Sequence, residues 1–142
     1  MFMGEFQHNL DTKGRIIIPA KFRDELGEEM VVTRWLDGCL AIYTMDKWMN
    51  LYEKLQTLPS TKREARRFTH MIMAKASECT LDSQGRIRVP APLIKEANLE
   101  KECVVIGVSD HVEIWDKDRW NEYYEVASES FEDIAESLTE FF

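Results

Sequence analysis

Residues 10–20 read LDTKGRIIIPA, and residues 81–91 read LDSQGRIRVPA. The two stretches align without a gap, and seven of the eleven positions carry the same residue. A duplicated unit of this kind predicts a fold with pseudo-two-fold symmetry. It also places Arg15 and Arg86, which follow the two glycines, in equivalent surroundings.

One copy of the repeat predicts a strand, a tight turn, a second strand, a short helix and two further strands. Asp11–Gly14 has turn composition, because Asp accepts hydrogen bonds from amides just downstream and Gly adopts positive φ. The β-branched residues within Arg15–Ile18 favour a strand. Pro19 and Gly27 bracket a helix over Pro19–Leu26. The two further strands are predicted at 30–34 and 40–44, with counterparts at 103–108 and 112–115.

Four segments are predicted along the chain. They are a first repeat at 5–47, connecting helices at 48–75, a second repeat at 76–119 and an acidic C-terminal helix at 120–142. A unit of about 45 residues buries too little surface to be stable alone, and the connecting segment has no Gly- or Ser-rich linker. We therefore expect an α+β fold in which both repeats interleave around a pseudo-two-fold axis and share one core.

The C-terminal segment combines an apolar stripe with a strong acidic charge. The stretch 121–142 contains seven Asp or Glu and no Lys or Arg. The apolar positions step by four and three residues, as in a heptad helix. They are Trp120, Tyr124, Ala127, Phe131, Ile134, Leu138 and Phe141. Such a helix packs either on its own domain or between subunits, and its acids complement the basic residues at 62–67 either within one chain or between two.

The net charge argues against DNA binding by bulk electrostatics. The formal charge is −8, but the acid is concentrated in the C-terminal segment, and the rest of the chain is close to neutral. Focused basic patches are therefore still compatible with nucleic-acid binding.

Residue spacing excludes several classes of site. Cys39, Cys79 and Cys103 lack the close pairing of disulfide scaffolds and zinc sites, so we expect buried, reduced thiols. The three histidines are scattered as well, and neither a metal site nor a cofactor is predicted. No apolar run reaches the roughly 20 residues of a membrane span, and the N-terminus lacks the features of a signal peptide. We therefore expect a cytoplasmic protein without a membrane partner.

The two turns also suggest an enzymatic alternative. Leu-Asp-Thr-Lys-Gly and Leu-Asp-Ser-Gln-Gly resemble the Asp-Thr-Gly and Asp-Ser-Gly loops of aspartic proteases, in which two Asp share a proton across a pseudo-two-fold axis. Here Lys13 and Gln84 are inserted before the glycine, and Arg15 and Arg86 follow it. Because an adjacent Arg holds each Asp ionised, the sequence disfavours a protease.

The favoured interpretation makes the two arginines the functional groups. Asp11 and Asp82 are expected to support their turns and to hold the neighbouring Arg side chains in place. A salt bridge to that Asp is the simplest role for each Arg. An Arg held rigidly on a paired hairpin also suits bidentate recognition of guanine or phosphate. The other candidates for this surface are Gly14 and Gly85 as turn supports, and Lys13, Lys21, Arg23 and Arg88 as phosphate contacts.

The chain resembles the MraZ family of bacterial transcriptional regulators, which have tandem SpoVT-AbrB domains. The resemblance rests on the double Asp-x-x-Gly-Arg motif, the Ile-x-[Ile/Val]-Pro-Ala that follows it and the spacing of the repeats. It covers essentially the whole chain. It implies a swapped-hairpin, barrel-like core built from both repeats and a ring-shaped homo-oligomer, with an octamer favoured. The family's DNA-contacting Arg falls on Arg15 and on Arg86.

The resemblance also implies a function in transcription. Proteins of this family bind short G-rich direct repeats in double-stranded DNA upstream of the division and cell-wall operon that contains their own gene, and they usually repress it. A nucleoid-associated, non-catalytic protein is therefore expected. Because Lys13 is matched by Gln84 and Ile17 by Arg88, the two motifs are not expected to contact DNA equally.

A second non-enzymatic function is an AbrB-type antitoxin or an assembly module. Antitoxins of this type usually carry a separate toxin-binding tail that is often disordered. Residues 120–142 have a regular heptad pattern instead, which favours a regulator over an antitoxin.

Overall fold

The computed structural model describes residues 1–142 and confirms both the α+β class and the predicted order of elements in each repeat. The first repeat contains β1 (Phe2–Asn9), β2 (Arg15–Ile17), α1 (Ala20–Leu26), β3 (Glu29–Arg34) and β4 (Leu40–Thr44). Two helices follow, α2 (Met45–Gln56) and α3 (Arg63–Lys75). The second repeat contains β5 (Ser77–Thr80), β6 (Arg86–Arg88), α4 (Ala91–Glu96), β7 (Glu102–Ser109) and β8 (His111–Asp116). The chain then continues into α5 (Lys117–Glu129) and α6 (Phe131–Ser137).

The two repeats exchange their first strands. The six-stranded sheet has the order β1-β7-β8-β4-β3-β5, and all its pairings are antiparallel. The first strand of each repeat thus pairs with the third strand of the other repeat. Strands β2 and β6 form a separate two-stranded antiparallel ribbon. This exchange confirms the predicted interleaving of the repeats, and barrel-like closure of the sheet stays a prediction.

The strand register shows the pseudo-two-fold symmetry directly. In the ribbon, Ile16 pairs with Ile87. In the sheet, Ala41 of β4 pairs with Glu113 of β8. Each pair joins positions that are equivalent when the two repeats are aligned. The pseudo-two-fold axis therefore passes through both pairs, and the duplicated sequence folds as one unit.

One apolar cluster of 18 buried residues draws on the ribbon, the sheet and both short helices. Ile16 and Ile87 enter it from the ribbon, and each is 1% exposed. Phe22 of α1 and Leu93 of α4 enter it from the helices. Because side chains alternate along a strand, the residues on either side of Ile16 and Ile87 lie on the opposite face of the ribbon. The core thus fixes which face of the ribbon is left outside.

The helices that follow each repeat cover the sheet unequally. Both α2 and α5 begin behind a capping side chain, since Thr44 and Asp116 each accept a hydrogen bond from the backbone N–H three residues downstream. The pair α2–α3 contacts β3 and β4 and buries Trp48, Leu55 and Ile72. Helix α5 contacts β7 and β8 but contributes no fully buried residue. None of the helices is long and apolar enough to cross a membrane.

The structure corrects the prediction of one continuous helix over 120–142. Helix α5 ends at Glu129, and Ser130 leaves the helical conformation at φ −113° and ψ 15° before α6 begins. The hydroxyl of Ser128 donates to the carbonyl of Tyr124 at 2.7 Å, a back-bond that bends helices. The apolar stripe is exposed rather than packed on its own domain, at Tyr124, Phe131, Ile134, Leu138 and Phe141.

A buried polar network stabilises the turn between β7 and β8. Nδ1 of His111 lies 2.7 Å from Asp110 Oδ1, and Nε2 lies 2.8 Å from Glu113 Oε2. The imidazole also stacks on Tyr43, with the ring centroids 5.1 Å apart. Burial lowers the pKa of His111, but the hydrogen bonds to Glu113 and Asp110 outweigh it and raise that pKa above the usual value. Both ring nitrogens donate only in the protonated ring, so this network favours the imidazolium.

The three thiols are free, and two of them are buried as predicted. Cys39 and Cys103 are buried, whereas Cys79 is half-buried. Burial raises the pKa of Cys79 and of Cys103 to about 12. Thiols with such a pKa stay protonated at neutral pH and are poor nucleophiles.

Candidate nucleic-acid interface

The first turn is organised by the carboxylate of Asp11. Its Oδ1 accepts hydrogen bonds from the backbone N–H of Lys13 at 2.9 Å and of Arg15 at 2.8 Å. Its Oδ2 accepts from Arg15 Nε at 2.7 Å. The backbone closes the same turn, since the N–H of Gly14 donates to the Asp11 carbonyl at 3.0 Å. A single side chain therefore shapes the turn and orients the Arg.

The second turn repeats this arrangement almost atom for atom. Asp82 Oδ1 accepts from the backbone N–H of Gln84 and of Arg86, both at 2.9 Å. Asp82 Oδ2 accepts from Arg86 Nε at 2.8 Å. Lys13 and Gln84 bond to the Asp through their backbone N–H groups, and their side chains take no part in these networks. The two turns therefore have the same hydrogen bonds although the residues at this position differ.

Both turn carboxylates are held in the ionised form. The backbone N–H of Arg15 is the main cause that lowers the pKa of Asp11, and that of Arg86 does the same for Asp82. A protease dyad needs two carboxylates that share one proton. Here each carboxylate is saturated by donors from its own turn, which opposes such sharing.

Each turn rests on the other repeat. Gly14 and Gly85 adopt φ of 77° and 75°, a region that favours glycine. A side chain at position 14 would also meet Ile94 of α4 at 3.4 Å, and one at position 85 would run into the guanidinium of Arg23 in α1. The turns are thus supported by equivalent helix positions, one apolar and one cationic.

Three arginines share the outer face of the ribbon. Arg15 pairs with Arg88, and Arg86 pairs with Ile17, across the antiparallel strands. Residues at alternate positions lie on one face, and the opposite face carries the buried Ile16 and Ile87. This outer face is accessible, since the side chains of Arg15 and Arg86 are 27% and 24% exposed and Arg88 is exposed.

The guanidinium groups of Arg15 and Arg86 are fixed at one end only. The Nε of each is bound to its Asp, and the terminal amino groups make no hydrogen bond within the chain. Each Arg therefore presents free donors in a fork whose stem is already ordered. Such a fork matches guanine O6 and N7 or a phosphate.

The remaining predicted contacts lie around this face in two different settings. Lys13, Lys21 and Arg88 are exposed. Arg23 is half-buried, and its Nε donates to the Ile18 carbonyl at 2.8 Å. Arg23 is thus tied into the support of the second turn, while its role as a phosphate contact stays a prediction.

Both halves of the chain match one known protein family. A family model described as "MraZ protein, putative antitoxin-like" matches residues 1–71 and matches again at residues 72–142. The chain belongs to the MraZ family. This is a regulatory, non-catalytic family, and membership points to a role in DNA binding.

The two MraZ units are continuous in the structure. Their boundary at residues 71 and 72 falls inside α3. The strand exchange also means that neither MraZ unit contains the partner of its own first strand. The outer face of the ribbon likewise needs both units, because the ribbon takes one strand from each.

Sequence reasoning missed the supports beneath the MraZ turns. The sequence predicts only a phosphate contact for Arg23 and no role for Ile94. The contacts of these residues with Gly85 and Gly14 cross from one repeat to the other. The available signal was the equivalence of positions 23 and 94 in the gapless alignment of the repeats, together with the expected interleaving.

Proposed function

We propose that this protein is a sequence-specific transcriptional regulator that binds double-stranded DNA through the outer face of the β2–β6 ribbon. The observation that carries the proposal is the grouping of Arg15, Arg86 and Arg88 on that one face. A two-stranded ribbon fits the major groove of B-DNA. The two forks held by Asp11 and Asp82 supply base contacts, and the exposed lysines supply phosphate contacts.

The register of the ribbon adds an electrostatic argument. Arg15 and Arg88 lie directly opposite one another, and like charges at such positions destabilise a strand pair. A polyanion that lies along this face removes the repulsion. The Arg15–Arg88 repulsion thus lowers the stability of the free protein, and the proposed DNA binding offsets this loss.

The proposed function also includes a specific DNA target and a ring-like assembly. The target is a set of short G-rich direct repeats upstream of the division and cell-wall operon that contains the protein's own gene, and binding represses that operon. The protein acts in the cytoplasm, at the nucleoid. One subunit contributes few cations, so a ring-like homo-oligomer, with an octamer favoured, gains affinity by touching successive repeats.

Substitution of Arg15 and Arg86 tests whether the outer face of the ribbon binds DNA. We expect Arg15→Ala and Arg86→Ala each to weaken binding to the DNA upstream of the gene by roughly 10-fold or more, since a bidentate contact to guanine is lost. Mobility shifts and footprinting of that DNA measure the effect, and thermal unfolding checks the fold.

Arg34→Ala is the matched control. Its side chain is 32% exposed and also pairs with an acid, Glu96, but lies in β3 rather than in the ribbon. Wild-type binding by the double variant Arg15→Ala/Arg86→Ala would refute the proposal.

An antitoxin-like role is the second candidate, and the exposed C-terminal stripe is the observation that favours it. An apolar surface of this kind fits a protein partner. Co-purification of an endonuclease with the native protein, lost when residues 131–142 are removed, would support this role over a purely transcriptional one.

A further inference from the structure

The C-terminal arm, residues 131–142, presents an apolar surface that nothing in the chain covers. Phe131 is 71% exposed and Phe141 is 74% exposed, with Ile134 and Leu138 between them above 40%. No residue of α6 is buried. Clustered apolar side chains at this exposure mark an interaction surface rather than an ordinary protein exterior.

The arm also carries acids that have no partner. Its four carboxylates form no ion pair within the chain, and they lie beside the apolar positions. They are Glu132, Asp133, Glu136 and Glu140. An occupant of this surface must therefore combine apolar contacts with positive charge.

The α2–α3 face has these two properties. A cleft of about 200 Å³ lies at the junction of the two helices, and three of its nine lining residues are hydrophobic, namely Leu55, Leu58 and Ala65. Four cations stand at the start of α3, and none of them forms an ion pair within the chain. They are Lys62, Arg63, Arg66 and Arg67.

Pseudo-symmetry shows what α5 lacks. In the first repeat, Leu55 of α2 is covered because Ile72 of α3 packs in the same cluster. The equivalent residue in the second repeat is Ala127, which lines an open cleft of about 430 Å³ with Trp115 and Tyr123. The helix that follows α5 is α6, and none of its residues is buried, whereas Ile72 of α3 is buried. The arm therefore does not pack on its own repeat as α3 does.

We infer that the C-terminal arm of one copy docks on the α2–α3 face of a second copy, with the arm's acids against the cations of α3. The inference rests on the proposed assembly and specifies its contact. The two surfaces differ, so the contact is head-to-tail. Such a contact repeats from copy to copy, and it closes into a ring when the rotation between copies allows.

Charge exchange between the two surfaces tests this contact. The first variant is Arg63→Glu/Arg67→Glu, the second is Glu132→Arg/Glu136→Arg, and the third combines all four changes. Molar mass is measured by light scattering without DNA, and circular dichroism checks the fold. We expect each double variant to lose at least half of the wild-type oligomer mass, and the combined variant to regain it.

The matched control is Lys95→Glu/Lys101→Glu. It makes the same charge change at two exposed lysines that form no ion pair and lie outside both surfaces. Its mass should equal that of the wild type. The inference is overturned if the wild-type protein is a monomer of 16.7 kDa, if the control loses mass to the same extent, or if the combined variant fails to recover.

The test separates this contact from the DNA-binding proposal. Arg15→Ala/Arg86→Ala should retain the wild-type mass while losing DNA binding, because the ribbon lies outside both docking surfaces. If a charge-reversed variant loses oligomer mass but still binds DNA with a single site, the arm acts in assembly alone. An unchanged mass in both charge-reversed variants refutes the docking contact and leaves the ribbon proposal standing.

Discussion

At the scale of single residues, the carboxylate of Asp11 links structure to function. Its three hydrogen bonds close the turn and hold Arg15 by Nε. Asp82 does the same for Arg86. A long side chain that is ordered before binding loses less conformational entropy when it binds. We therefore expect the Asp to act on DNA affinity through the Arg, without a contact of its own.

Asp11→Asn/Asp82→Asn tests this role. The amide oxygen still accepts from the backbone N–H groups, but the amide nitrogen replaces the acceptor of Arg Nε. We expect specific affinity to fall by roughly 2- to 10-fold for each freed Arg. Affinity for unrelated DNA should rise, because two negative charges are removed. Competition mobility shifts give the ratio, and an unchanged ratio would contradict a positioning role.

His111 gives a second prediction at this scale, because its pKa is raised in the folded protein. A raised pKa means that the protonated ring stabilises the fold. That stabilisation is complete below the unfolded pKa of about 6.5 and is lost as the pH rises through the folded pKa. His111→Gln should therefore lower the free energy of unfolding by about 1–3 kcal/mol in acid, and by less at alkaline pH.

Urea unfolding between pH 5.5 and 9 measures this difference. His70→Gln is the control, since His70 is exposed and makes no hydrogen bond. A gap between wild type and His111→Gln that stays constant across this range would contradict the protonated network.

At the scale of elements, the ribbon is the place where the two copies differ. Position 17 in the first copy is Ile, and the equivalent position in the second is Arg88. As a result, Arg86 faces an apolar neighbour while Arg15 faces a cation. The two arginines are equally well held by their turns, but their neighbours across the ribbon differ in charge. The ribbon therefore adds to the difference between Lys13 and Gln84 as a reason to expect unequal contributions to the proposed DNA binding.

Arg88→Ile places the residue found at position 17 at the equivalent position of the second copy, and it separates stability from DNA affinity. Loss of the Arg15–Arg88 repulsion should stabilise the free protein by a few tenths to about 1 kcal/mol. DNA affinity should fall at the same time, because one cation leaves the face. Thermal unfolding at low and high salt tests the first part, since salt screens the repulsion. A gain in stability that is independent of salt would point to packing instead.

The turns and the C-terminal helices show which parts of the structure can be predicted from the sequence. Every hydrogen bond to the Asp11 side chain comes from within four residues, so local chemistry is enough to predict these bonds. The contact of Arg23 with Gly85 crosses between the repeats, and no local pattern records it. The break at Ser130 was missed for a related reason: a heptad pattern predicts one straight helix only where a partner surface packs along it.

At the scale of the whole molecule, the exposed arm and the binding face are separate parts. In the proposed function the ribbon binds DNA, and the proposed contact of the arm brings further ribbons to the same DNA. Linked sites gain affinity through effective concentration, without any new contact to DNA. The net charge of −8 on one subunit is therefore compatible with tight binding by an assembly that touches several repeats.

Removal of residues 131–142 tests this division. We expect the oligomer mass to fall and affinity for DNA with several motif repeats to drop by roughly 100-fold. Affinity for DNA with a single motif should change little, and it serves as the internal control. Fluorescence anisotropy on both DNAs measures the two effects. An equal loss on both would indicate damage to the ribbon itself.

The exchange of first strands also affects how the protein folds while it is being synthesised. Phe2–Asn9 pairs with residues 102–109, which leave the ribosome about 5 to 20 seconds later at roughly 5–20 residues per second. During synthesis, β1 is an edge without a neighbour, and folding is delayed by this long sequence separation. Most side chains of β1 are polar or exposed, which protects the nascent chain from aggregation while it waits.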